Sequence, residues 1–327
     1  MFGIDVASYG GTVNWSAVKN SGKMYGIVKA TEGVTIKDPS FSRYWQDMKQ
    51  VGIMRGAYHY FHPLKSDPVQ QAREFLKTVG KLEPGDLPPV LDVETTNGAS
   101  RATVVNAMKL WLLEVMKGIQ QQTGKKIKPI IYTYPNFWIN TLGNPTDFST
   151  FPLWIAHYDV EKPWIPSSWG EGNWAIHQYK GDVRGITGVS GVGDLNKFNL
   201  LFPGAKGTRV KEIQQQLKDF KQPEFDPGSI SGDFDEKTKK AIIAFQTANK
   251  LQADGIVGPK TWVQMLWYTP PAPKPPVTPP AIINLVDLPK SYTGGFTVNQ
   301  DQAIKWLQSK IPQATLAEFA QRWKNSQ

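Results

Sequence analysis

Leu87-Pro88-Pro89-Val90-Leu91-Asp92-Val93-Glu94-Thr95-Thr96 is the stretch whose reading decides the rest. Two prolines bar a helix there, and the short apolar run after them predicts a strand over residues 89–93. That strand ends in two carboxylates at i and i+2, which a period of two puts on one side. In α/β folds the carboxyl ends of parallel strands are where ligands bind. Asp5, after Gly3-Ile4, ends the first apolar run and supplies a third acid. Close acids cannot all ionise freely, so one is expected to keep its proton towards neutral pH. A protonated acid beside an ionised one suits glycoside hydrolysis. Carboxylate clusters also hold Mg²⁺ or Ca²⁺, so the acids alone leave both chemistries open.

Outward from this strand, residues 1–203 alternate apolar runs with amphipathic ones. Strands are expected at 3–7, 25–30, 53–61, 89–93, 129–134, 153–157 and 175–179. Helices are expected at 39–51, 68–79 and 101–122; in the last, Val104, Met108, Trp111, Leu112 and Val115 recur on one face. The alternation predicts a parallel α/β layout. Few helices separate the later strands, so an irregular barrel is expected. Gly191-Val192-Gly193 reads as a loop.

After a soft boundary at Phe202-Pro203-Gly204, residues 204–268 read as a small three-helix domain. Its apolar faces are Val210, Ile213, Leu217 and Phe220; Ala241, Ile242 and Phe245; then Trp262, Met265 and Leu266. Ser231-Gly232-Asp233-Phe234 and Asp254-Gly255-Ile256-Val257 begin a repeated turn-to-helix segment, with Pro259 suited to a first helical turn. Residues 269–280, TPPAPKPPVTPP, form a proline-rich spacer. Residues 281–327 predict two short helices, too small to bury much alone and therefore suited to docking or self-association.

The 327 residues carry a formal charge of +9 and no cysteine, which excludes disulfides, thiol nucleophiles and Cys-ligated zinc. The basic excess is spread over every part and calls for an anionic partner. No basic, aromatic-interleaved element points to nucleic acid. Neither a Gly-x-Gly-x-x-Gly fingerprint after a strand nor a phosphate loop occurs, so no nucleotide cofactor is expected. His59 and His62, on a strand and the following turn, do not share a helix face as zinc ligands would. Lys125, Lys126 and Lys128 read as a solvated cluster. Trp138, Trp154 and Trp174 are candidates for stacking on sugars among eight tryptophans otherwise assigned to core. Met1-Phe2-Gly3-Ile4-Asp5-Val6 reads as a strand rather than a signal peptide, and no apolar run of about 18 residues suits membrane insertion.

Several motifs, in order, resemble glycoside hydrolase family 25 lysozymes: Gly3-Ile4-Asp5-Val6, Val28-Lys29-Ala30-Thr31-Glu32-Gly33, Gly56-Ala57-Tyr58-His59-Tyr60-Phe61 and Leu91-Asp92-Val93-Glu94. Ile131-Tyr132-Thr133, Leu153-Trp154-Ile155-Ala156-His157-Tyr158, His177-Gln178-Tyr179 and Gly193-Asp194-Leu195-Asn196 continue the series. The resemblance implies an irregular TIM-like β/α barrel that cleaves the β-1,4 bond between N-acetylmuramic acid and N-acetylglucosamine in peptidoglycan. It implies Glu94 as general acid and Asp92 as the residue orienting the substrate acetamido group or stabilising the oxocarbenium-like state. Asp5 and Asp194 would complete the acidic floor, with Tyr58, Tyr132, Trp154 and Gln178 as sugar contacts. The extra Gly193 beside Ser190-Gly191-Val192 departs from the family's shorter approach to its last acid. Residues 204–268 resemble the three-helix peptidoglycan-binding domain of wall hydrolases. The whole reads as a bacteriophage endolysin, a muramidase that accumulates in the host cytoplasm and acts on the wall after a separate membrane lesion, with peptidoglycan as partner and retention through the acetamido group. The alternatives are an amidase or peptidase, or a wall-binding protein on an inactive barrel.

Overall fold

A computed structural model describes residues 1–170 and 172–270, together with positions 309, 310, 312, 315 and 318. The helices expected in 281–327 therefore lie outside the described residues. Met1–Pro270 is one compact unit, so the barrel and the helical region after it fold against each other.

Nine strands build the first part: β1 (Phe2–Val6), β2 (Lys23–Glu32), β3 (Ile36–Lys37), β4 (Met54–Tyr60), β5 (Val90–Asp92), β6 (Ile130–Thr133), β7 (Leu153–Ala156), β8 (Ile176–Arg184) and β9 (Val192–Phe198). Eight of them close a barrel in the order β1-β2-β4-β5-β6-β7-β8-β9, and β3 folds back on the end of β2. Neighbours from β1 to β8 run parallel, while β9 runs antiparallel to both β8 and β1.

Helices α1 (Trp15–Asn20), α2 (Phe41–Val51), α3 (Pro68–Val79) and α4 (Arg101–Thr123) cover the first half of the barrel. Each start has a local cause: Asn14, Asp67 and Ser100 accept a hydrogen bond from the backbone two or three residues into α1, α3 and α4, and Pro68 opens α3. Only a short π-helical turn, Phe137–Thr141, lies between β6 and β7, and β8 and β9 form a hairpin. The barrel is thus complete in strands and irregular in helices.

The loop expected at Gly191-Val192-Gly193 is corrected, because Val192 and Gly193 open β9. Glycine is required next to it for proximity: a Cβ on Gly191 would stand 2.4 Å from the Gly10 carbonyl oxygen. A Cβ on Gly10 would likewise stand 2.3 Å from the Val192 oxygen.

Three helices follow, α5 (Thr208–Asp219), α6 (Glu236–Ala248) and α7 (Pro259–Trp267). The repeated turns share a brace that the sequence does not advertise. Gln214 takes the Gly232 N–H and donates to Thr238, while Gln246 takes the Gly255 N–H and donates to Thr261. Both glutamines are buried, so each satisfies a turn that would otherwise bury unpaired amides. The module is fixed to the barrel by Trp267 Nε1 donating to the Asp86 carbonyl (3.0 Å) and by Arg209 donating to the Trp174 and Asn199 carbonyls. The Phe198 and Trp262 rings pack across the same junction.

Candidate active site

Strand alternation sends every second side chain into the barrel, and at the carboxyl ends of β1 to β8 these side chains converge. Asp5 lies one residue before the end of β1, Tyr58 and Tyr60 lie in the last three residues of β4, Asp92 ends β5 with Glu94 two residues on, and Tyr132, Trp154 and Gln178 come from β6, β7 and β8. Because β9 is reversed, its amino-terminal half reaches the same rim and pairs Asp194 opposite Asp5. One cavity of about 300 Å³ is lined by Asp5, Asp92, Glu94, Asp194, Tyr58, Tyr132, Trp154 and Gln178, so all eight sequence candidates meet there. The intervening residues face the helices: His59 is fully buried and stacks on Trp111 of α4 at 5.5 Å. Its ring bonds Thr31 and Gln71, and burial pushes its pKa down to about 4.

Gln178 organises the floor. Its Nε2 donates to Asp5 Oδ1 (2.9 Å) and Asp194 Oδ2 (3.2 Å), while its Oε1 accepts from the hydroxyls of Tyr132 and Tyr158, both at 2.8 Å. Those partners fix which way the amide faces. Asn196 repeats the device, donating to Asp5 Oδ1 (2.7 Å) and accepting from Trp154 Nε1 (2.8 Å). Burial, then the charge of Asp194, raises the Asp5 pKa well above the usual range, against the bonds from Asn196 and Gln178. Asp194 is raised by burial too, but the Asp182 N–H and the hydrogen bond from Asp5 oppose this. Burial and mutual repulsion thus work against ionisation of both acids at once, more strongly at Asp5 than at Asp194.

The second pair differs. Burial raises Glu94, helped by the charge of Asp194 and opposed by the Tyr132 hydroxyl and Lys29. Burial raises Asp92 well above the usual range, helped by the charge of Glu94 and opposed by Lys29. Among the described residues, the Asp92 Oδ1 is buried without a hydrogen-bond partner. A buried acceptor in that state prefers to be protonated and readily accepts an incoming N–H.

Lys29 is the one cation lining the cavity among the described residues. It is held at 2.6 Å by Glu32, whose other oxygen bonds His62 Nε2 at 2.9 Å. Sequence reasoning missed it, although a lysine within the apolar run of β2 was a visible signal. It also missed Asn196, Tyr9, Tyr158 and Trp164. A second cleft, about 470 Å³, continues from the cavity past Glu94, Tyr132 and Tyr158 to Tyr134 and Trp164. Tyr158 and Trp164 are 47% and 52% exposed, which leaves ring faces open for a sugar to cover. The tryptophans nominated from sequence are placed differently. Trp138 is buried and bonded to Ser168, Trp174 lies at the junction with the helical module, and Trp154 is a buried wall packed against Tyr132.

Paired acids at the mouth of a closed barrel, beside an aromatic cleft, define an acid–base hydrolase of the β/α-barrel class. The family model described as glycosyl hydrolases family 25 matches residues 4–188, and that of a putative peptidoglycan binding domain matches residues 206–265. Lysozyme M1 of Streptomyces globisporus is 34% identical over 202 residues, covering 60% of this chain and 67% of that protein. The autolytic lysozyme of Clostridium acetobutylicum is 32% identical over 271 residues, 80% of this chain and 77% of its own. Among solved structures, the bacterial lysozyme from Streptomyces coelicolor superposes with a TM-score of 0.54 at 34% identity, covering 61% of this chain and 92% of that one. The chain belongs to glycoside hydrolase family 25. It is a glycoside hydrolase followed by a helical peptidoglycan-binding domain.

Proposed function

We propose that the chain is a muramidase that hydrolyses the β-1,4 bond between N-acetylmuramic acid and N-acetylglucosamine, with Glu94 as general acid. The observation that carries this reading is the unequal setting of Asp92 and Glu94. Asp92 is buried with its Oδ1 unpartnered among the described residues, whereas Glu94 is half-buried and lines both the cavity and the aromatic cleft. Before substrate binds, desolvation favours the proton on Asp92. An acetamido N–H donated to Asp92 stabilises its ionised form and passes the proton of the coupled pair to Glu94. Glu94 then protonates the leaving glycosidic oxygen, while ionised Asp92 holds the acetamido group so that its oxygen attacks the anomeric carbon. Water opens the resulting ring with Glu94 as base, giving retention.

Digestion of purified peptidoglycan by wild type and Glu94→Gln tests the reading. New reducing ends terminating in N-acetylmuramic acid are expected, without new amines and with a loss of about 10³-fold in the variant. New amines with full Glu94→Gln activity overturn it in favour of an amidase or peptidase. An inverted anomer as first product, followed by NMR, overturns the retaining route alone.

The joining of a wall-cutting barrel to a wall-binding module also supports an endolysin type. Expression inside a bacterium should then lyse cells only once the inner membrane is permeabilised. Lysis without permeabilisation counts against that assignment.

A further inference from the structure

A further cleft of the Met1–Pro270 unit lies apart from the catalytic one. It spans about 490 Å³ between α5 and α7 on one side and barrel segments around Lys126, Lys128 and Pro152 on the other. Its floor is apolar, with Ile213, Trp262 and Leu266, and its rim is basic. Lys126, Lys128 and Lys211 are exposed, and none of them forms an ion pair among the described residues.

Arg209 lines the same cleft and is 8% exposed. Its Nη1 is used on the Trp174 and Asn199 carbonyls, while its Nη2 is buried without a partner. A buried guanidinium is ordinarily paired, because leaving its charge and donors unmatched costs several kcal/mol. Burial pulls its pKa down to about 10, and the charge opposing this is Glu212, one helical turn away and not in contact. Glu212 and Asp219 also line the cleft, and Asp219 is engaged by Gln215, so the four cations outnumber the acids. Trp262, which lines the cleft, has an indole Nε1 that makes no hydrogen bond among the described residues.

We propose that this cleft seats the carboxylate-bearing peptide stems of peptidoglycan, the short alanine-containing peptides that hang from the glycan. The reading rests on the assignment of the chain as a peptidoglycan-directed enzyme. The chemistry matches in two respects. Methyl side chains suit the Ile213–Trp262–Leu266 floor, and a stem carboxylate suits the arginine and lysines that lack an anion. A bare glycan strand would supply acetamido and hydroxyl groups but would leave the cationic rim unmatched. The cleft is built from both the barrel and the helical module, so a bound stem would hold the barrel at a fixed attitude to the polymer.

Lys126→Glu with Lys211→Glu tests the proposal in the full chain. Neither lysine makes a hydrogen bond or an ion pair among the described residues, so folding should be unaffected, as a melting curve verifies. Binding is measured by sedimentation on the Glu94→Gln background, where it does not depend on turnover; failure of the stem site and failure of the muramidase reading are then separate results. Three probes are used: whole walls, walls extracted of phosphate-bearing polymers, and glycan stripped of stems by an amidase. Binding to extracted walls should weaken about tenfold in the double variant, ~1.4 kcal/mol. It should weaken by a similar factor for wild type when the stems are removed. Equal affinity for stripped glycan, or an unchanged double variant, overturns the proposal. Loss of binding on phosphate-polymer extraction alone assigns the cleft to that polymer and overturns it too. In a titration with a soluble stem peptide, the assigned Trp262 indole N–H signal should shift in wild type and not in the double variant.

Discussion

Replacing Gln178 tests whether the acidic floor is organised by one amide. Gln178→Met keeps the volume and removes four hydrogen bonds, two to Asp5 and Asp194 and two from Tyr132 and Tyr158. The cost is less than four full bonds. Tyr158 is 47% exposed and can turn to water, and Asp5 keeps Asn196. Buried Tyr132 loses its acceptor and Asp5 loses a donor, at about 1–2 kcal/mol each, for a total of about 3 kcal/mol. For a unit of this size that lowers Tm by about 6–12 °C.

Gln178→Glu sharpens the test. Protonated, a carboxyl at 178 still donates to an acid and accepts from the tyrosines. Ionised, it faces two acids with nothing to donate. Its folded pKa is then raised above the unfolded value of about 4.3, so the folded state binds more protons. The deficit against wild type should be small near pH 4 and widen as pH rises from there through the raised value. Melting curves at several pH values measure it. A deficit independent of pH, or a Gln178→Met loss below about 1 kcal/mol, would refute the account of the floor.

Lys29→Met removes the cation that holds down both Asp92 and Glu94, so both acids should titrate higher. Each limb of the kcat/KM profile should move to higher pH, and unmoved limbs would refute a tuning role. Trp164→Ala should raise KM on polymeric substrate about tenfold, ~1.4 kcal/mol, with kcat nearly unchanged; an equal fall in kcat would place Trp164 in the chemistry instead. Asp5→Asn should raise Tm increasingly as pH rises above about 4, the unfolded carboxyl value, because it removes a buried acid that the fold prefers protonated; a fall in Tm would overturn that assignment.

The parallel part of the barrel was legible because β1, β2 and β4 to β8 are apolar runs, several of them ending in polar residues at period two. The acids at 92 and 94 followed from that periodicity, and Asp5 from its place after Gly3-Ile4. β9 was not legible as a strand. Val192-Gly193-Asp194-Leu195-Asn196 mixes glycine with polar residues, since its inward side meets the acid floor rather than an apolar core. Asp194 was reached by resemblance alone, and its setting depends on the reversal of that strand. Asn196 and Gln214 went unnoticed because a neutral amide becomes informative only once its buried partners are known. Trp164 sits in a loop, where no period distinguishes an exposed platform from core.

The bond between Asn196 and Asp5 joins residues 191 positions apart. Gln178, Asp194 and Asn196 belong to one local hairpin and can meet early, but Asp5 joins them only when the first and last strands of the barrel zip together, a contact of large sequence separation and slow to form. The acidic floor is therefore a product of ring closure rather than of any one segment. A chain halted before residue 198, or one frayed at this seam, carries most of the barrel yet lacks the matched acid pair. The acid pair of the floor is thus completed only where the two ends of the barrel meet.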